Sequence, residues 1–287
     1  MRAAAYAKVN LALAVYPRSV DGYHPLRGIF QSVSFADHVS IGPSSDDSVT
    51  VEGGEAPEDE SNLAWKAIDA VRRSVRNPSP VALTIKKRIP VGAGLGGGSA
   101  NAAAALGLMA ARLGLEDDAV AELAESLGAD VPFSFVGGTK LVEGRGERLS
   151  PYEPLGDFAL GIVVPPFSLS TPAVFGEWDR LECPVGDVMD DRHLPTTLRG
   201  GHPIRNDLLP AAISLDPRVG EWRDEIAARW GTGVAMTGSG SALFAFFSTL
   251  DEAHNAVEGI DIPTRAAEAV EPVDVGWRQI NGGPRDD

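Results

Sequence analysis

The sequence predicts an α+β protein of two domains, an N-terminal α/β domain with a mixed sheet over residues 1–153 and a ferredoxin-like C-terminal domain over residues 154–287. Three observations lead there. The chain has 287 residues, and a domain usually holds about 100 to 200. The first half interleaves runs of period-two hydrophobicity with segments of helical period. The second half orders its elements strand, helix, strand, strand, helix, strand, the split βαβ pattern.

Val9, Leu11, Leu13 and Val15 alternate with other residues, so the chain opens on a half-buried strand with Lys8 and Asn10 on its other face. Asp21-Gly22 marks a turn. Short β-like runs follow at 29–35, 38–41 and 48–51, separated by solvated loops at 44–47 and 52–61. A helix is expected over 61–75 with Ser61 as its N-cap. Val81, Leu83 and Ile85 form the next strand, ended by Lys86-Lys87-Arg88. A glycine-rich turn then opens an alanine-rich helix over 99–112, and a helix over 116–127 carries Val120, Leu123, Ala124 and Leu127 on one face. The second half reads as a strand at 158–164, a proline-rich stretch, a helix at 217–230, strands at 234–237 and 243–247, a helix from Asp251 and a strand at 264–269. Residues 276–287 read as a frayed tail.

Composition narrows the function. With 44% apolar and 23% charged residues, the chain can bury ordinary cores. Lys and Arg number 25 against 40 Asp and Glu, a formal charge of −15, which disfavours a nucleic-acid backbone or an anionic membrane as partner. Cys183 is the single cysteine, so neither an intrachain disulfide nor a thiolate metal cluster is possible, as suits the cytoplasm. Lys8 and Asn10 interrupt the apolar N-terminal stretch, and the longest uncharged helical run, 100–111, is too short to cross a bilayer. A soluble protein is expected.

The most informative stretch is Pro90-Val-Gly-Ala-Gly-Leu-Gly-Gly-Gly-Ser99-Ala-Asn-Ala102, with five glycines between Gly92 and Gly98. Placed between a strand and a helix, such a loop brings backbone close to a ligand and aims the free N–H groups of a helix start at an anion, so phosphate is the natural guest. A flexible linker is the plain alternative, although linkers seldom open directly into a strong helix. No Gly-Lys-Ser/Thr follows, so this is not a Walker A loop. Gly92, Gly94 and Gly97 spell G-x-G-x-x-G with Glu116–Asp118 about twenty residues on, but a second helix stands where a dinucleotide fold requires a parallel strand.

Three motifs in order resemble the GHMP small-molecule kinases: Lys8-Val9-Asn10 on the first strand, the loop from Pro90 to Ala102, and Gly238-Ser239-Gly240-Ser241 before an apolar strand. Within that family, Asp21-Gly22-Tyr23-His24, Gly128-Ala129-Asp130-Val131-Pro132 and Asn206-Asp207-Leu208 are similar to the member that acts on a cytidine diphosphate-linked polyol. The likeness covers about residues 5 to 250 and leaves the loop 52–61, the segment 180–202 and the tail unmatched. It implies the two-domain GHMP kinase fold with the active site in a cleft between the domains. ATP is implied as phosphoryl donor, with Mg²⁺, and a small polyol as acceptor. Oligomeric state is left open.

The resemblance also assigns roles. Asp130 would be the base that takes the hydroxyl proton, and Lys8 the cation that holds it ionised and stabilises charge on the attacking oxygen. Taken alone, Asp130 reads as part of a turn after a helix and Lys8 as a surface charge. ATP would meet Lys87, Asn62, Gly92, Gly94, Leu95, Gly96, Gly97, Gly98 and Ser99, the last also the one candidate for touching Mg²⁺. Ser99 could equally be an N-cap, Lys87 a charged strand end and Asn62 a capping residue. The acceptor would meet Asn10, Thr171, Gly238 and Ser239, with Tyr23 and Phe175 stacking on cytosine and His24 meeting a polar part of the nucleotide. His193 and His202 lack metal-ligand spacing and belong to the surface. Two rival readings are another GHMP kinase, acting on homoserine, mevalonate or a sugar, and a non-catalytic nucleotide-binding regulator. The aromatic clamp argues against the first, and the presence of both Lys8 and Asp130 against the second.

Overall fold

Strand β1 (Arg2–Val15) is buried on both faces along most of its length, the pattern of a strand covered on each side. In the computed structural model, which describes residues 1–76, 79–153, 155 and 157–280, β1 pairs antiparallel with β2 (Leu26–Pro43). The C-terminal part of β2 pairs with β4 (Val81–Lys86), and β3 (Ser48–Glu52) lies parallel to β4, which makes the sheet mixed. The N-terminal part of β2 pairs with β5 (Thr139–Gly144), which forms a hairpin with β6 (Arg148–Pro151). On the other edge β11 (Trp277–Gln279) pairs with Ala3–Ala5.

Helices cover one face of this sheet. They are α1 (Leu63–Ser74), α2 (Gly97–Leu113), α3 (Asp117–Leu127) and the short α4 (Val131–Val136). Ala3, Ala5, Val39, Ile41, Leu83 and Ile85 meet Ile68, Val71 and the alanines of α2 in one core. Small side chains around nearly the whole circumference let α2 be buried on all sides.

The second sheet runs β10-β7-β9-β8, with every neighbouring pair antiparallel. Its strands are β7 (Ala159–Val164), β8 (Ala235–Met236), β9 (Leu243–Phe247) and β10 (Ala266–Val270). With α7 (Arg218–Trp230) between β7 and β8 and α8 (Leu250–Glu258) between β9 and β10, this is the ferredoxin-like arrangement. Alternation along β7 and β9 divides the packing. Leu160, Ile162, Phe244 and Phe246 face Ala7, Val9, Leu11 and Val33 of the first sheet. Val163, Leu243 and Ala245 face Val174 and Trp178 of α5 (Thr171–Arg180) and Val219 and Ile226 of α7, near α6 (Leu209–Leu215).

Several expectations are corrected. The runs at 29–35 and 38–41 belong to one strand, β2, and β1 begins seven residues before Val9. Asn62, not Ser61, caps α1, its Oδ1 accepting from the Ala64 N–H at 3.0 Å. Ser99 is not an N-cap, because α2 starts from Gly96. The proline-rich stretch holds α5, where Pro172 falls in the first turn and costs the helix no hydrogen bond. The start of the expected tail is strand β11, anchored by Trp277 against α2 and α4; residues 281–287 lie outside the described residues.

Candidate active site

The glycine loop, β1, the start of α4 and the turn before β9 converge on a cleft of about 640 Å³ lined from both halves of the chain. Two irregularities in the β1–β2 register, between Tyr6 and Lys8 and between Asn10 and Ala12, bracket Lys8-Val9-Asn10. Bulges of this kind re-aim side chains next to active sites. Here Lys8 and Asn10, both buried, reach the cleft wall while Val9 stays in the core.

The Lys8 ammonium lies 2.5 Å from Asn10 Oδ1 and 3.9 Å from the Asp130 carboxylate, with the Phe30 ring centroid 5.3 Å away. Burial lowers the Lys8 pKa from its ordinary 10.5, and the Asp130 charge partly restores it. Asp130 precedes α4 and is half-exposed, so an acceptor can approach it. Asn10 is itself fixed, its backbone N–H donating to Thr237 Oγ1 at 2.9 Å.

The loop reads as a phosphate cradle in its geometry. Gly96, at φ 69°, caps α2 without a side chain, so no side-chain group occupies the N–H groups of the first turn, Gly97, Gly98 and Ser99. A side chain at Gly96 would also strike Lys8, and one at Gly94 would fall 2.3 Å from the Thr237 carbonyl oxygen. Glycine is therefore demanded at both places by close approach as well as by positive φ. The loop is stitched to both halves: the Lys8 N–H donates to the Leu95 carbonyl at 3.0 Å, and the Ala242 N–H to the Ala93 carbonyl at 3.0 Å. Asn206 holds the opposite wall by donating to the Met236 and Gly238 carbonyls, both at 2.8 Å.

Of the residues singled out in the sequence, the cleft brings together Lys8, Asn10, Asn62, Lys87, Gly92, Gly94, Leu95, Gly96, Gly97, Gly98, Ser99, Asp130, Thr171, Phe175, Gly238 and Ser239. Tyr23 and His24 are not on its wall. Tyr23 is exposed, with the Arg145 guanidinium 4.2 Å over its ring. His24 stacks on Phe175 at 5.0 Å, and its Nε2 bonds Asp179 Oδ1 at 2.8 Å, so it buttresses the aromatic wall from behind. Asn62 lines the cleft with both polar atoms engaged, Oδ1 with Ala64 and Nδ2 with the Pro57 carbonyl at 2.7 Å. Ala56, Pro57 and Ser61 also line it, so the acidic loop borders the site.

Lys87 differs from expectation in its partner. Its side chain is 3% exposed and is ion-paired with Asp37, whose side chain is 0% exposed. Asn101 Oδ1 accepts a second bond from Lys87 Nζ at 3.2 Å, and Asp37 also takes the N–H groups of Arg88 and Ile89 at 2.7 and 2.9 Å. The pair thus pins the chain that enters the glycine loop. Sequence reasoning missed Asp37 and Asn101, although one acid within an apolar strand and one amide in an alanine helix both signal a buried polar partner. It also missed Arg145, which lines the cleft.

Among the described residues no group of three or more His, Cys, Asp or Glu could hold a metal ion, and no helix is long and apolar enough to cross a membrane.

Residues 62–138 match the family described as GHMP kinases N terminal domain, and residues 198–263 match GHMP kinases C terminal. A 4-diphosphocytidyl-2-C-methyl-D-erythritol kinase of Carboxydothermus hydrogenoformans is 34% identical over 264 residues, covering 90% of this chain and 92% of the relative. Its counterpart in Streptomyces coelicolor is 38% identical over 268 residues, 88% and 89% of the two chains. A solved 4-(cytidine 5'-diphospho)-2C-methyl-D-erythritol kinase superposes with a TM-score of 0.80 at 36% identity, over 95% of this chain and 99% of that one. Homoserine kinase from Cytophaga hutchinsonii, at 17% identity and a TM-score of 0.68, shares the fold. With three motifs meeting in one cleft and relatives matched over nearly their full length, the chain belongs to the 4-diphosphocytidyl-2-C-methyl-D-erythritol kinases of the GHMP kinase family.

Proposed function

We propose that this chain transfers the γ-phosphoryl group of ATP to the 2-hydroxyl of 4-diphosphocytidyl-2-C-methyl-D-erythritol, on the non-mevalonate route to isoprenoid precursors. The observation that carries the reading is the Lys8–Asp130 pair at 3.9 Å in the same cleft as the start of α2, whose first N–H groups no side chain caps. The triphosphate lies along the N–H groups of Gly97, Gly98 and Ser99, whose dipole end favours anionic oxygens. The acceptor hydroxyl sits between Lys8 and Asp130. Asp130 takes its proton as the oxygen attacks the γ-phosphorus, the bond to the bridging oxygen breaks, and ADP leaves with that oxygen's electron pair. Lys8, held by Asn10, stabilises the charge that grows on the attacking oxygen. The base stacks on Phe175, whose other support is His24.

Mg²⁺ fits as an ion carried by ATP. The chain offers Ser99 Oγ in the cleft rather than an all-protein cage, and Mg²⁺ usually keeps several waters and binds substrate phosphates. When bound it would neutralise phosphate charge. We divide the chain into domains at residue 153, with β11 returning to the first sheet, and place the enzyme in the cytoplasm, where a lone thiol such as Cys183 stays reduced.

Asp130→Asn keeps the shape of the side chain and removes the proton acceptor. It should lower kcat by roughly 10²- to 10⁴-fold with little change in either KM. Turnover within about threefold of wild type would remove Asp130 from the base role.

A further inference from the structure

Among the described residues three cationic side chains line the cleft, and two are buried with their partners. Lys8, with a side chain 6% exposed, serves Asp130 and Asn10, and Lys87, 3% exposed, serves Asp37 and Asn101. Arg145 is paired as well, with Asp21, but it is far more open. It stands in the turn between β5 and β6, and its side chain is 49% exposed.

We infer that Arg145 binds the diphosphate of the acceptor and holds it between the base site and the reacting hydroxyl. This rests on the placement of the acceptor proposed above. One side of the argument is position. Arg145 lines the cleft, and its guanidinium lies 4.2 Å over the Tyr23 ring. The neighbouring Gly146 backs directly on the residue before Asp130, where an added Cβ would fall 2.7 Å from the Ala129 carbonyl oxygen. The turn that carries Arg145 therefore lies beside both Tyr23 and the loop that bears Asp130. A cytidine diphosphate-linked polyol carries its two phosphates between its base and its reacting hydroxyl.

The other side is pre-organisation. Asp21 engages Nε at 3.1 Å and also Nη2, and its own pKa is lowered to about 2 by the Ser19 hydroxyl, the Tyr23 N–H and Arg145. The carboxylate is thus ionised at neutral pH and fixes one edge of the fork. Nη1, with two N–H donors, makes no bond to Asp21 and is left for a phosphate oxygen, the geometry arginine matches well. The Tyr23 ring 4.2 Å beneath it adds a cation–π contact that restrains the guanidinium. The Asp21-Gly22-Tyr23 turn thereby acts on the diphosphate through Arg145.

The test uses cytidine and CDP as inhibitors competitive with the acceptor at saturating ATP, in wild type and Arg145→Gln. A charge-assisted bond to phosphate corresponds to roughly 10- to 100-fold in affinity. The Ki of CDP should rise by that factor, and the Ki of cytidine, which has no phosphate, should stay within about threefold. Arg145→Lys, which keeps the charge without the fork, should fall between the two for CDP. If cytidine and CDP weaken alike, Arg145 only props Tyr23 and the inference fails. If neither changes, it fails as well. If neither compound competes with the acceptor in wild type, the placement of the base is wrong and takes this inference with it.

Discussion

Lys8 keeps an ammonium where burial opposes one, and this has a pH signature. Its folded pKa is below 10.5, so the unfolded chain holds more protons between the two values. Through that window, rising pH should increase the Lys8 contribution to stability while activity falls, because the ammonium proposed to support the attacking oxygen is lost. Measuring kcat and the denaturant midpoint against pH checks it, and Lys8→Met should abolish that part of the stability slope. Gly98 gives a cleaner test of the phosphate loop than Gly97. A Cβ at Gly97 meets Ile89 Cγ2 at 2.9 Å and Lys87 Nζ at 3.1 Å, whereas one at Gly98 meets nothing within 4 Å. Gly98→Val should leave the fold intact and raise the ATP KM roughly 10- to 100-fold, the scale of a lost charge-assisted contact; an unchanged KM would refute the cradle. That the loop, Lys8 and Asp130 share one cleft was legible in the sequence because each lies within a short motif. Asp37 and Arg145 were not, because their partners lie 50 and 124 residues away and no local pattern records such pairing.

At the scale of elements, α5 presents Phe175 with one face on His24 and leaves the rest to the cleft. Base stacking contributes on the order of 1 to 3 kcal/mol. Phe175→Ala should therefore weaken the acceptor roughly 5- to 150-fold and leave the ATP KM nearly unchanged, as steady-state kinetics with each substrate varied would show. Strand β11 gives a stability test. Helix propensity alone favours Gly107→Ala by about 1 kcal/mol, but the new Cβ would fall 2.1 Å from the indole of Trp277. Overpacking of that kind costs about 1 to 3 kcal/mol, so the clash wins and the thermal midpoint should drop; a rise would show that β11 yields freely. The sequence marked most strands and long helices through periodicity. It concealed α5 behind a proline that is harmless in a first turn, and it concealed β11 because three residues carry no period and pair with a strand at the opposite end of the chain.

Over the whole molecule, a formal charge of −15 surrounds a cleft that must admit two polyanions. The fold resolves this locally, with Lys8, Lys87, Arg145 and the first turn of α2 all on the cleft wall, while the acidic charge beyond about 8 Å is largely screened at physiological salt. The two halves supply different parts of the wall. The first sheet and its helices bring Lys8, Asp130 and the glycine loop, and the segments around the second sheet bring Thr171, Phe175 and Ser239. A kinase built this way should respond to the base on its acceptor as well as to the hydroxyl. The most direct measurement is ADP release with the purified chain over a panel of alcohols: 4-diphosphocytidyl-2-C-methyl-D-erythritol, the corresponding uncytidylated phosphate, homoserine and mevalonate. The account predicts turnover of the cytidylated alcohol at a kcat/KM at least about 100-fold above the others, the upper range of one base-stacking contribution. Equal turnover of the cytidylated and uncytidylated alcohols, or a preference for homoserine or mevalonate, would contradict it.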